Sequence, residues 1–384
     1  MQTQQIANSD LIPTTKSRLA YPIAFYLPQY HPIPENDKWW GKGFTEWTNV
    51  ARAKPLFPGH YQPHIPADLG FYDLRLPEVR QAQADLAREY GIYGFCYYHY
   101  WFNGKHLLER PFNEVLDSGK PDFPFCLCWA NENWTRTWDG LEKHVLIEQN
   151  SSEEDDRQHI QWLAKAFQDK RYIRIEGKPL FLVYRASKLP DPLKTTLLWR
   201  EEARKIGIGE IFLGRVESSA DEHSDPTDIG FDVAVEFQPD WANVEIKFCV
   251  GNNKIHHRLA RKLGLSNMEY FDYRYMDYSS MIEKMLHRRG SPSYKRFPCV
   301  TPSFDNSARR RQTGAFILKD SSPELYEKWL EAVIELTPKT HQENFIFINA
   351  WNEWAEGNHL EPCQKWGRAY LEATRRAVMG KIEA

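Results

Sequence analysis

The sequence predicts an α/β protein, a single (β/α)8 TIM-type barrel with long, aromatic-rich loops after its strands. Three observations carry that prediction. Short runs rich in β-branched and aromatic residues alternate with amphipathic helical stretches, and eight such runs occur. Runs such as "PLFLVY" and "NFIFINA" are apolar at consecutive positions, as in strands covered on both faces. No glycine-rich phosphate turn follows the first run, which argues against an open nucleotide-binding sheet.

The elements follow in order. "YPIAFYL" (21–27) is the first strand, and a long aromatic and proline-rich segment separates it from a helix at 77–90. Pro77 starts that helix and Gly91 closes it. "IYGFCYY" is the second strand, a short helix spans about 109–118, and "PFCLCWA" is the third strand. "SSEEDDRQHIQWLAKAF" is a capped helix with carboxylates at its positive end. "PLFLVYR", a helix at 192–205, "IFLGRVE" and "FDVAVEFQ" continue the alternation. A less regular basic and aromatic region covers about 242–295; "FPCVTPSF", the helix "PELYEKWLEAVIEL", "NFIFINAW" and the helix "WGRAYLEATRRAVM" complete the series. Residues 1–18 read as a flexible tail and 19–384 as one barrel domain, since no repeat or low-complexity linker divides the chain.

Composition narrows the function. The 384 residues are 42% hydrophobic, enough for a large core, and 49 basic against 52 acidic residues leave a charge of −3 without a basic surface for nucleic acid. No 18-residue apolar stretch spans a membrane, and the first residues lack the basic-then-apolar pattern of a leader, so the expectation is a soluble, cytoplasmic protein. Cys96, Cys126, Cys128 and Cys299 lie in apolar runs, and no CxxC or HExxH spacing appears. His60 and His64 are four apart but lack a third ligand. No metal, cofactor or disulfide framework is expected, and no oligomeric state is implied.

A barrel collects its functional groups where the strands end. Here those ends hold Tyr30 and His31; Tyr98, His99, Tyr100 and Trp101; Trp129, Asn131, Glu132, Asn133 and Trp134. Further along come Tyr184 and Arg185, Glu217, Glu236 and Gln238, and Asp305 and Asn306. The last strand delivers Trp351, Asn352, Glu353, Trp354, Glu356 and His359. Trp39, Trp40, Glu46 and Trp47 stand in the long first loop, which reads as a wall or lid over the site. Flat rings among amides and carboxylates suit a sugar, whose C–H faces stack on aromatics while its hydroxyls need donors and acceptors. Nothing suits phosphate beyond Arg185 and "ARRR" at 308–311, so the expected partner is an oligo- or polysaccharide. Plainer readings stand beside several of these. His99 can be a satisfied core histidine, Asn131 and Asn133 parts of a hydrogen-bonded turn, and Glu236 a paired carboxylate.

Glu353 and Glu356 form the sharpest signal. Two acids three apart can simply complement the dipole of a helix start. Set after a barrel strand and among Trp351, Trp354 and His359, at least one should be desolvated and have a raised pKa. Two carboxyls of unequal acidity are the minimum equipment for breaking a glycosidic bond.

Long motifs point the same way: "FYLPQYHPIPENDKWWGKGFTEW", "YGIYGFCYYHYWFNGK", "CLCWANENWTRTWDG", "VEFQPDW" and "NAWNEWAEGNHLEP". Through them residues 21–378 resemble the WbsX family, labelled glycosyltransferase in polysaccharide-biosynthesis clusters and itself similar to glycoside hydrolase family 99. That resemblance implies a (β/α)8 barrel acting on α-mannan-like chains in endo fashion, with retention and without metal. It makes Glu353 the base for the sugar 2-hydroxyl, which attacks C1 to give a 1,2-anhydro sugar. It makes Glu356 the acid for the departing oxygen and then the base for water. The substrate's 2-hydroxyl must be trans to the leaving group, as in α-mannosides and α-rhamnosides. Segments 35–66 and 242–295 do not resemble the mannosidases, which leaves the sugar open. The glycosyltransferase label and the hydrolase-like site point to different chemistries. No DxD or glycine-rich diphosphate device occurs, and "EEDD" at 153–156 reads as a helix start. The expectation is a retaining glycoside hydrolase on a mannan- or rhamnan-like polysaccharide. The alternatives are a glycosyltransferase or transglycosylase in O-antigen or capsule synthesis, and a non-catalytic carbohydrate-binding protein.

Overall fold

Nine parallel strand segments pair into a nearly closed barrel: β1 (Tyr21–Tyr26), β2 (Gly94–Phe102), β3 (Phe125–Trp129), β4 (Lys178–Val183), β5 (Phe212–Glu217), β6 (Val233–Glu236), β7 (Arg296–Phe297), β8 (Cys299–Val300) and β9 (Phe345–Ile348). The computed structural model describes residues 18–136, 141–244, 247–249, 272–287, 292–310, 313–337 and 344–380. The order is β7-β6-β5-β4-β3-β2-β1-β9-β8. Its two ends, β7 and β8, are halves of one run interrupted by Pro298, which has no N–H for a ladder. Where the sequence predicts one seventh strand, the proline divides it: β7 pairs with β6 and β8 with β9, so the ring's edges lie one residue apart. Beside this break, Cys299 N–H donates to the Glu236 carboxylate at 3.1 Å.

The barrel interior is filled by rings. Phe25 lies 5.6 Å from Tyr98, 5.5 Å from Phe237 and 5.5 Å from Phe347, and Tyr184 lies 5.2 Å from Phe237. Packed side chains, not a pore, thus form the floor beneath the strand ends. The opposite faces pack outward, as Tyr26 does against Tyr97 at 4.4 Å. Gly94 permits β2 its close approach, since a Cβ there would stand 2.7 Å from the Pro124 carbonyl.

Each helix predicted from the sequence is present: α3 (Pro77–Glu89), α4 (Arg110–Ser118), α5 (Glu153–Phe167), α6 (Pro192–Lys205), α8 (Pro323–Leu336) and α9 (Ala369–Met379). Ser152, Asp191 and Ser322 cap α5, α6 and α8 by accepting from backbone N–H groups at 3.1, 3.0 and 3.3 Å. Two short helices in the first loop, α1 (Pro34–Trp40) and α2 (Glu46–Arg52), go beyond the prediction. So do α7 (Tyr278–His287) and an antiparallel pair, Trp134–Arg136 with Leu141–Ile147. A three-stranded sheet of Lys247–Cys249, Asp272–Asp277 and Thr313–Lys319 adds to the barrel. The expected tail falls, up to residue 17, outside the described residues, as do 245–246, 250–271 and 288–291 of the region read as irregular. No helix among the described residues is long and apolar enough to cross a membrane.

Candidate active site

Directly after β9 the chain forms no α-helix. Asn352–Glu353 pairs with Asn358–His359 as a small hairpin, joined by one 3-10 turn at Trp354–Glu356 and by Gly357 at φ 54. The two acids therefore do not sit in a first helical turn. The Asn352 side chain accepts from Leu27 N–H at 2.7 Å and donates to the Leu27 carbonyl at 3.1 Å, fastening the hairpin to the end of β1. Tyr30 hydroxyl donates to the Asn352 carbonyl. Trp354 stacks on His359 at 3.7 Å, and its indole N–H donates to Glu361 at 2.6 Å. Burial pushes the Glu361 carboxyl up to about 7, against the donors Gln83, Trp354 and Tyr72. The hairpin is thus held by buried, mutually bonded side chains, which restricts where its carboxyls can point.

Those carboxyls face a cavity of about 440 Å³. Arg309, from the loop after β8, reaches both: Nη2 donates to Glu353 at 2.7 Å and Nη1 to Glu356 at 2.6 Å. Its Nε donates to Glu46 on α2 at 3.2 Å, and Glu46 is fully buried. One guanidinium therefore faces three carboxyls. Burial pushes Glu353 up to about 8; the Arg309 charge opposes the shift, and Glu356 and Glu46 reinforce it. Burial also raises Glu46, again against Arg309. The aromatic lining consists of Trp40, Tyr98, Tyr100, Trp134, Tyr184, Phe237, Trp241 and Phe304. Gln29, Glu132, Asn133, Asn306, Arg310 and Asn349 add polar edges.

The structure thus gathers Tyr98, Tyr100, Glu132, Asn133, Trp134, Tyr184, Asn306, Glu353 and Glu356 around one space. Of the first-loop residues singled out from the sequence, Trp40 lines the same space and Glu46 reaches it through Arg309, whereas most of the others lie elsewhere. His99 turns outward, 2.9 Å from His159, while Trp101 donates to Asp155 and Trp129 to the Trp101 carbonyl. Asn131 bonds the Arg185 backbone in both directions, at 2.8 Å each way, and Arg185 pairs with Glu132 at 3.7 Å. Glu236 pairs with Arg296 at 2.9 Å, and Gln238 is buried, accepting from Asp240 N–H. Glu217 accepts from the Tyr294 hydroxyl at 2.7 Å. Tyr30, His31, Trp351, Asn352 and Trp354 are buried; Trp47, partly buried, packs on Tyr30, Tyr72 and Trp354. Asp305 accepts from His60 at 2.6 Å and from Gln62 at 2.8 Å, and His64 lies 2.9 Å from His359. His60 and His64 thus serve different partners. No group of three or more His, Cys, Asp or Glu among the described residues is arranged to hold a metal ion.

The motif-bearing strand ends thus converge on a single walled cavity. Residues 22–374 match the family model for glycosyltransferase WbsX. The chain belongs to the WbsX family. This WbsX chain is 46% identical over 360 residues to the uncharacterized protein WxcX of Xanthomonas campestris pv. campestris strain ATCC 33913, and 45% identical over 364 residues to that of strain B100. Each match covers 93% of this chain and 49% of the relative, so the chain spans about half the length of the curated relatives it matches. Among solved structures, the GH99 endo-alpha-mannosidase from Bacteroides thetaiotaomicron aligns with TM-score 0.55 and 16% identity, covering 93% of this chain and 96% of that one. A glycoside hydrolase-like protein aligns with TM-score 0.56 and 14% identity, covering 94% of each. The WbsX chain shares their fold.

Proposed function

We propose that this chain is a glycan-processing enzyme, a retaining glycoside hydrolase acting on an α-linked, mannan- or rhamnan-like polysaccharide. The single observation that carries the reading is the seating of Glu353 and Glu356 on the two terminal nitrogens of Arg309, at one edge of an aromatic-walled cavity. With Glu353 and Glu46 ionised and Glu356 holding the proton it donates, the carboxyls around Arg309 leave a net negative charge, which favours the positive charge that develops at the anomeric carbon.

In the reaction proposed, Glu353 takes the proton of the sugar 2-hydroxyl while that oxygen forms a bond to C1. The glycosidic C1–O bond breaks, and Glu356 gives its proton to the departing oxygen. Glu356 then takes a proton from water, whose oxygen attacks C1 and opens the three-membered ring. Glu353 returns the proton to O2, and two inversions leave net retention. A carboxyl pushed up to about 8 is a stronger base than an ordinary one, but it must first lose its proton, so rates should rise as pH approaches that value.

The test is incubation with α-mannan and α-rhamnan fragments, with and without sugar nucleotides. Reducing ends released without a nucleotide support hydrolysis; strict dependence on a nucleotide donor overturns it. Aryl glycosides separate the roles, because an activated leaving group rescues loss of the acid, Glu356→Gln, and not loss of the base, Glu353→Gln. The family's description favours a second reading, glycosyl transfer, in which an acceptor hydroxyl replaces water at the same carboxyls. A non-catalytic binder would retain glycan affinity in both variants, with no turnover to lose.

A further inference from the structure

We propose that Arg309 is a positioning residue that braces the Glu353 and Glu356 carboxyls, and that Glu46 holds Arg309 in turn. The long loop after β1 then takes part in the chemistry instead of only roofing it. This rests on the reading of Glu353 and Glu356 as the acting pair.

The brace joins three stretches remote in sequence: α2, the loop after β8, and the hairpin after β9. Each nitrogen of the guanidinium meets a different carboxyl, at 3.2 Å for Glu46, 2.7 Å for Glu353 and 2.6 Å for Glu356. Arg309 uses Oε2 of Glu353 and Oε1 of Glu356, leaving the other oxygen of each for a substrate. The planar fork directs a separate N–H to each carboxyl at a set angle, which the point charge of a lysine cannot do. Arg309 is itself only 13% exposed and Glu46 is 0% exposed, so the contacts are weakly screened.

The other groups facing this cluster are phenols and cavity-edge charges. Tyr30 faces Glu46, Glu353 and Arg309, Tyr98 and Tyr100 face Glu353, and Tyr184 faces Glu356. Burial raises all four phenols above their ordinary range, so they stay neutral where the carboxyls titrate. Arg310 and Glu132 line the same cavity. The charges touching Glu353 most directly are therefore Arg309, which favours its ionised form, and Glu356 and Glu46, which oppose it.

The experiment follows Glu353 by carboxyl-carbon NMR across pH in the full chain, alongside the pH profile of kcat/KM. Arg309→Met should move the Glu353 midpoint up and lower kcat/KM by ~10²-fold, the scale of a small misplacement of reacting groups. Glu46→Gln, nearly isosteric, should move the midpoint down. Arg309→Lys should keep the midpoint near that of the unaltered protein, because the charge remains, yet lose rate. Midpoints unmoved in both Arg309→Met and Glu46→Gln, with only thermal stability reduced, would overturn the brace. If Arg309→Met does not fold, the downward shift in Glu46→Gln decides alone: its presence supports the proposal and its absence defeats it. Shifted midpoints in a protein that turns over no glycan would support the brace and defeat the hydrolase reading.

Discussion

The end of β2 and the turn of chain after β9 both carry aromatics, yet they use them oppositely. In β2 neighbouring residues part company: Tyr98 and Tyr100 line the cavity, whereas His99 and Trp101 turn outward onto His159 and Trp162. Strand geometry enforces this, since successive side chains leave opposite faces. After β9 the acids line the cavity, while Trp351 is buried against Phe95 and Trp354 against His359. The lesson is that an aromatic at a strand end belongs to the ligand site only if its parity or turn aims it there. Otherwise it holds up the surface that carries the site.

The comparison sharpens most at the acids. Glu353→Gln and Glu356→Gln should each lower kcat/KM by ~10²–10⁴-fold while leaving a folded protein, checked by steady-state kinetics and circular dichroism. Near-normal turnover in either would break the assignment. The supporting rings should respond in the other currency, stability. Trp101→Ala should cost about 3–5 kcal/mol in a denaturant melt, with activity per folded molecule retained.

Next in size is a pH effect. The Glu353 carboxyl sits at about 8 in the folded protein, above its ordinary unfolded value. Between those values the folded state holds a proton that the unfolded state has lost, so stability falls as pH rises through the window. Glu353→Gln has no such proton to lose. Its Tm advantage should be smallest near about pH 5 and grow toward about pH 8; an offset independent of pH would contradict the burial argument. The smallest effect should come from the cavity wall: Trp134→Ala should raise KM by up to about tenfold, with Tm little changed, the scale of one lost ring contact.

Much of this was legible in the residues. The alternation of apolar runs and capped helices already described the barrel, and "NEWAEG" already marked Glu353 and Glu356. The same alternation inside β2 also carried the signal that separates Tyr98 and Tyr100 from His99 and Trp101, although composition alone groups all four together. Trp351 and Trp354 had no such local cue, because a tight hairpin sets their direction and periodicity does not.

Local pattern decides what a strand or helix buries, since each element must hide its own apolar face; the fold and its carboxyl pair were therefore set by the sequence itself. Only the tertiary structure brought Arg309 to Glu46 across 263 positions, and to both acids of the hairpin. Such a meeting depends on where three loops land once the barrel has closed, and no repeating pattern along the chain records that.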